Sequence, residues 1–93
     1  MKIKLEESFS DRFKRQLRFI AKDSPSRAKK FKTDVLNEIK SLPHNPLKCR
    51  KSIYFDDINI RDLIFKGYAI TYRIKLEIIE VFGFTKYQKD CKE

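Results

Sequence analysis

Most of the side chains in this chain that could do chemistry are cations. Lys48, Arg50 and Lys51 crowd together just after Pro46, Arg61 and Arg73 sit in stretches of alternating character, and Lys86-Tyr87 follows the last apolar run. Cations placed this way suit phosphate contact, which positions a polyanion without reading its sequence. The plainer reading of Arg61 and Arg73 is a pair of sheet-surface arginines bridging Asp62, Glu77 or Glu80 across strands, which contributes little energy. For Lys48, Arg50 and Lys51 the plainer reading is a solvated basic loop. The remaining reactive types are isolated. His44 lies between two prolines in Pro43-His44-Asn45-Pro46, a turn that belongs at the surface. Cys49 and Cys91 have neither the spacing of metal ligands nor the neighbouring His and acid of a thiol nucleophile. No metal and no cofactor is expected.

The cations outnumber the acids throughout. The chain has 93 residues, 22 Lys+Arg and 13 Asp+Glu, a net charge of +9. Residues 1–46 carry 12 cations against 6 acids and residues 47–93 carry 10 against 7, so the excess belongs to a folded surface rather than a tail. Such a surface attracts polyanions through counterion release. Nucleic acid, the ribosome and an acidic protein all fit, and the bland alternative is a solvated basic domain without such a ligand. A hydrophobic content of 41%, with 8 Phe and 4 Tyr, excludes a disordered chain. No apolar run approaches the roughly 18–20 residues of a membrane span; the longest, residues 76–84, is broken by Glu77 and Glu80. No helical stretch pairs a continuous cationic face with a Trp/Phe/Leu face, so membrane-surface binding is not expected either. The N-terminus lacks the apolar core of a signal peptide, and a cytoplasmic location is expected. The length fits a single domain, residues 1–93.

The elements that must position these residues follow from periodicity. Residues 2–7 alternate and predict a strand. Phe9, Phe13, Leu17 and Ile20 form one stripe of a helix, with Ser8 or Ser10 as its cap and Asp11 in its first turn. Asp23-Ser24-Pro25 predicts a corner, Ser24 capping a second helix and Pro25 opening it. The second stripe is Ala28, Phe31, Val35, Ile39 and Leu42, stopped by Pro43 to Pro46. The period then shortens towards two. Ile53-Tyr54-Phe55 predicts a short strand, residues 58–65 another, and Lys66-Gly67 a turn. Tyr68, Ile70, Tyr72 and Ile74 predict a strand with one face on the helices, and residues 76–84 predict an interior strand. The fold class is α+β: an N-terminal strand, a two-helix antiparallel hairpin, then a three- to four-stranded antiparallel sheet. Phe9, Phe13 and Phe31 belong to its core, whereas Tyr54 and Phe55 are the better candidates for exposed partner contact.

Several stretches, in this order, resemble the RelE/ParE superfamily of bacterial type II toxins. Phe19-Ile20-Ala21-Lys22-Asp23-Ser24-Pro25-Ser26-Arg27-Ala28-Lys29-Lys30-Phe31 is similar to the helical-hairpin corner of the ParE branch. Ile39-Lys40-Ser41-Leu42-Pro43-His44-Asn45-Pro46 matches the usual end of the second helix. Ile60-Arg61-Asp62-Leu63 followed by Gly67-Tyr68-Ala69-Ile70-Thr71-Tyr72-Arg73-Ile74 resembles the central sheet motif. Ile78-Ile79-Glu80-Val81-Phe82-Gly83 stands in the place of the last core strand. The resemblance spans roughly residues 5–87; each motif alone is weak, and their order and spacing carry it.

The resemblance implies a growth-inhibiting toxin held inactive in a hetero-oligomer with a cognate antitoxin. The antitoxin's acidic, partly disordered segment would fold over the basic surface and the hairpin's apolar edge. ParE-like members poison DNA gyrase, whereas RelE-like members cut ribosome-bound mRNA. Cutting RNA at a 2′-OH needs a base, a cation for the developing phosphorane charge and an acid for the leaving oxygen. The family's Gly-Tyr-Arg reads Gly67-Tyr68-Ala69 here, so that arginine is missing. Arg73 follows on the same strand face, about 13 Å along. A RelE-like catalytic set would therefore be Arg61, Arg73, Lys86 and Tyr87, the first two on one basic face and the others at its rim. Against Lys86 and Tyr87 as an acid–base pair stands their ordinary protonation near neutral pH. Lys48, Arg50 and Lys51 would touch RNA or the antitoxin. The hairpin corner and the missing arginine favour gyrase inhibition without chemistry of the chain's own. The alternatives are a ribosome-dependent endoribonuclease and an inactive, antitoxin-binding relic.

Overall fold

The computed structural model describes residues 1–86. In chain order its elements are β1 (Lys2–Leu5), α1 (Glu7–Asp23), α2 (Pro25–Lys40), a short 3-10 turn (Leu42–His44), β2 (Arg50–Lys51), β3 (Ile60–Phe65), β4 (Tyr68–Ile74) and β5 (Ile78–Lys86). The sheet runs β1-β5-β4-β3-β2. The last four strands pair antiparallel, and β1 joins β5 parallel, because α1 and α2 intervene before the chain returns to the sheet.

The hairpin corner forms as its residues require. Ser24 caps α2, its hydroxyl accepting from the Arg27 N–H at 3.2 Å, and Pro25 opens the helix, where a missing N–H costs nothing. The start of α1 differs from expectation. Glu6 takes the cap position without a side-chain bond, and Ser8 lies inside the first turn. Its hydroxyl instead donates to the Phe82 carbonyl at 2.7 Å, tying α1 to β5. The strand expected at residues 53–55 is a loop; β2 lies earlier, where Arg50 and Lys51 pair with Asp62 and Arg61. Between β3 and β4, Lys66 and Gly67 both take positive φ, 50° and 84°, which matches a two-residue hairpin to the strand twist.

One irregularity decides which residues of β5 face which way. Tyr72 pairs with Val81 and Thr71 with Gly83, so Phe82 is an extra residue, a β-bulge. Before it Ile79 and Val81 face the helices; after it the parity shifts, and Phe84 faces them too. All three join Leu63, Ile70 and Tyr72 from the sheet and Phe9, Phe13, Phe31, Val35, Ile39 and Leu42 from the helical side in one core. Aromatic rings form its spine: Phe9 stacks on Phe13 at 5.2 Å, Tyr68 on Phe84 at 4.9 Å, and Phe31 reaches Tyr68 at 5.4 Å between centroids. The bulge leaves Phe82 on the opposite, open face of the sheet, beside Gly83, Thr71 and Arg73.

Candidate functional site

The sheet separates the cations expected to act together. Arg61 stands opposite Tyr72, whose ring is in the core, so it belongs to the helix-facing side. Its guanidinium donates to the carbonyls of Ile58 at 2.9 Å and Cys49 at 3.0 Å, tying the segments on either side of β2 together. Arg73 stands on the open face. It donates to Glu80 at 3.2 Å and covers the Phe82 ring at 4.8 Å. One basic face holding both arginines is therefore not what the strand register produces. Lys86 pairs with Tyr68 and lies on the helix side, away from Arg73. Tyr87 lies outside the described residues.

The basic loop is likewise engaged within the chain. Lys48 donates to the Ser41 hydroxyl at 3.0 Å, and Lys51 pairs with Asp56 at 3.2 Å. Arg50 approaches Asp62 at 3.6 Å. Asp62 is buried on the open face, 1% exposed, and accepts a hydrogen bond from the Thr71 hydroxyl at 2.9 Å.

The titratable groups are set by these neighbours. Burial pushes the Glu80 carboxyl up, but hydrogen bonds from Lys75 and Arg73 outweigh it and hold the group below its ordinary range. Burial pushes the Tyr72 phenol far up, and its hydroxyl donates to the Pro46 carbonyl at 2.7 Å. A phenol so placed keeps its proton and anchors the turn after α2.

Concave surfaces lie on both sides of the sheet. On the helix side, a cleft of about 420 Å³ lies among Ile20, Arg27, Phe31, Lys66 and Tyr68. A second, of about 530 Å³, lies among Arg12, Arg15, Phe19, Tyr68, Phe84 and Lys86. Tyr68 lines both, so they form one groove with an aromatic floor and a cationic rim. Lys30 and Lys66 share Asp34, and their hydrogen bonds hold its carboxyl below the ordinary range. Arg12, Arg15, Arg27 and Lys86 have no acidic partner among the described residues. Phe19 projects into this groove 61% exposed. Sequence reading by stripe missed it; the signal was a phenylalanine standing off the apolar line of its own helix.

On the open face a cleft of about 480 Å³ lies among Tyr54, Phe55, Thr71, Phe82, Gly83 and Thr85, with Ser8 and Arg12 at its edge. The exposed aromatics expected of Tyr54 and Phe55 are here, 53% and 42% exposed. Among the described residues, no helix is long and apolar enough to cross a membrane.

Comparison with known proteins adds a family. A family model described as the ParE toxin of the type II toxin–antitoxin system parDE matches residues 3–88. The fold is similar to that of a chain in the solved structure of the chromosomal ParDE TA system from P. aeruginosa. The TM-score is 0.76 at 14% identity, over 95% of this chain and 97% of that one. No curated protein matches the sequence.

Proposed function

For a chain that belongs to the ParE toxin family of type II toxin–antitoxin systems, we propose growth inhibition by binding DNA gyrase, relieved by a cognate antitoxin. The observation that carries the binding reading is the dispersal of the cations. Arg61 serves backbone carbonyls on the helix side, Arg73 is neutralised by Glu80 on the open face, and Lys86 lies across the sheet from Arg73. Phosphoryl chemistry on RNA needs base, cation and acid converging within hydrogen-bond reach of one phosphate. These three cations do not converge.

The antitoxin reading rests on the helix-side groove. Its floor of Phe31, Tyr68 and Phe84, with Phe19 exposed above it, accepts apolar side chains, and Arg12, Arg15, Arg27 and Lys86 await carboxylates. An acidic amphipathic segment satisfies both demands, and its ordering on binding would be offset by the charge and area gained.

Expression in cells lacking the antitoxin tests the function. The reading predicts growth arrest with accumulated gyrase-dependent DNA breaks and unchanged mRNA 5′ ends. New 5′ ends within translated codons, without DNA damage, would replace it with ribosome-dependent RNA cleavage.

A further inference from the structure

The open face of the sheet carries a second surface that the antitoxin groove does not use. The loop between β2 and β3 is built to hold it in place. Ser52 is buried, its N–H donates to the Ile60 carbonyl at 2.8 Å, and its hydroxyl accepts from the Tyr54 N–H at 3.1 Å. At the loop's far end, Asp57 accepts from Asn59 at 2.8 Å through its side chain and from Ile60 at 3.1 Å through its carbonyl. Stapled at both ends, the loop nevertheless presents Ile53 65%, Tyr54 53% and Phe55 42% exposed. Phe55 is fixed edge-on to Phe82 at 5.6 Å, and Arg73 holds Phe82 in turn. Beside them the wall is bare by necessity: a Cβ on Gly83 would meet the Thr71 Cβ at 2.9 Å. Exposed aromatic area held rigid in this way costs little entropy to bury.

The charges around this cleft select its occupant. Among the described residues Arg12, at the edge, is the one charged side chain that lines it, and it has no acidic partner among them. On the same face Arg73 and Lys75 are neutralised by Glu80, and Arg50 lies against Asp62. A nucleic-acid strand wants several cations tracking its phosphates, and the lining of this cleft offers one among the described residues. One cation beside an apolar slot instead matches a protein segment that presents a large apolar side chain next to a carboxylate.

We propose that this open-face cleft, with Tyr54 and Phe55 as its anchors and Arg12 at its edge, is the surface that binds the target protein. The helix-side groove then serves the antitoxin, and Arg12, which lines both, is common to the two. The inference rests on the proposed function, and its test separates the two. Purified wild-type chain and variants are titrated into gyrase supercoiling assays. Tyr54→Ser/Phe55→Ser should raise the concentration needed for half-inhibition at least tenfold, with an unchanged circular dichroism spectrum. Lys32→Glu, an exposed cation of α2 that lines neither surface, should stay within twofold of wild type. Should the double variant fail to fold, Tyr54→Ser alone decides by the same criterion. Inhibition by wild type and by the open-face variant at equal potency overturns the inference and leaves the function standing. So does a loss of binding to a fluorescent RNA oligonucleotide while gyrase inhibition is unchanged. A wild-type chain inert towards gyrase overturns the function itself, and the inference falls with it.

Discussion

Glu80 holds two cations at once, Arg73 at 3.2 Å and Lys75 at 3.3 Å. These hydrogen bonds outweigh the upward push of burial, so its folded pKa lies below the ordinary value of 4.5. A carboxyl depressed on folding contributes stability that is whole above its unfolded pKa and is lost as pH falls through the folded one. Stability should therefore decline on acidification below 4.5, and Glu80→Gln should flatten that decline in denaturant titrations at stepped pH. An unchanged slope in the variant would place the acid sensitivity elsewhere. Gly83 sits on the same face for a steric reason. Gly83→Ala forces its methyl against Thr71, where the free approach is 2.9 Å. Overpacking of this kind costs about 1–3 kcal/mol, read as a lower denaturant midpoint at constant slope. A midpoint equal to wild type would show that Thr71 moves aside freely.

At the scale of elements, the periodic parts of the chain were legible before the structure. The two helices, the Ser24-Pro25 corner and the helix-facing tyrosines of β4 all follow from local spacing and capping chemistry. Ser24→Ala should cost about 1 kcal/mol through the lost cap, measurable by thermal unfolding; no loss would mean the corner is held by packing alone. What spacing does not reveal is pairing. The parallel docking of β1, the shift of β2 to Arg50–Lys51 and the bulge at Phe82 depend on partners far along the chain. The bulge matters most for the site. Strict alternation puts Phe82 and Phe84 on one face with Glu80, whereas the extra residue sends Phe84 to the core and leaves Phe82 at the open cleft. In the same way Arg61 and Arg73 looked like companions because each lies in an alternating stretch, yet the β3–β4 register places them on opposite faces. In the hairpin, Phe19 stands exposed above the groove. Phe19→Ser should weaken antitoxin binding about tenfold, the effect of losing an interface anchor of roughly 1.4 kcal/mol. An unaltered affinity by calorimetry would move the antitoxin off this groove.

The whole molecule is a basic plate with different chemistry on its two sides. Part of the net charge of +9 lies around the helix-side groove, where Arg12, Arg15, Arg27 and Lys86 have no acidic partner among the described residues. The open side pairs Arg50, Arg73 and Lys75 with acids and exposes aromatic rings beside them. An antitoxin on the first face and a target protein on the second is the division of labour this distribution supports, with Arg12 as the shared boundary. The central claim is that the chain inhibits growth by binding gyrase rather than by cutting RNA. Titrating purified chain into a gyrase supercoiling reaction, with ribosomes programmed by a defined mRNA in parallel, tests it most directly. The account predicts dose-dependent loss of supercoiling and intact mRNA. Full supercoiling at saturating protein, together with codon-phased cleavage of the ribosome-bound mRNA, would contradict it.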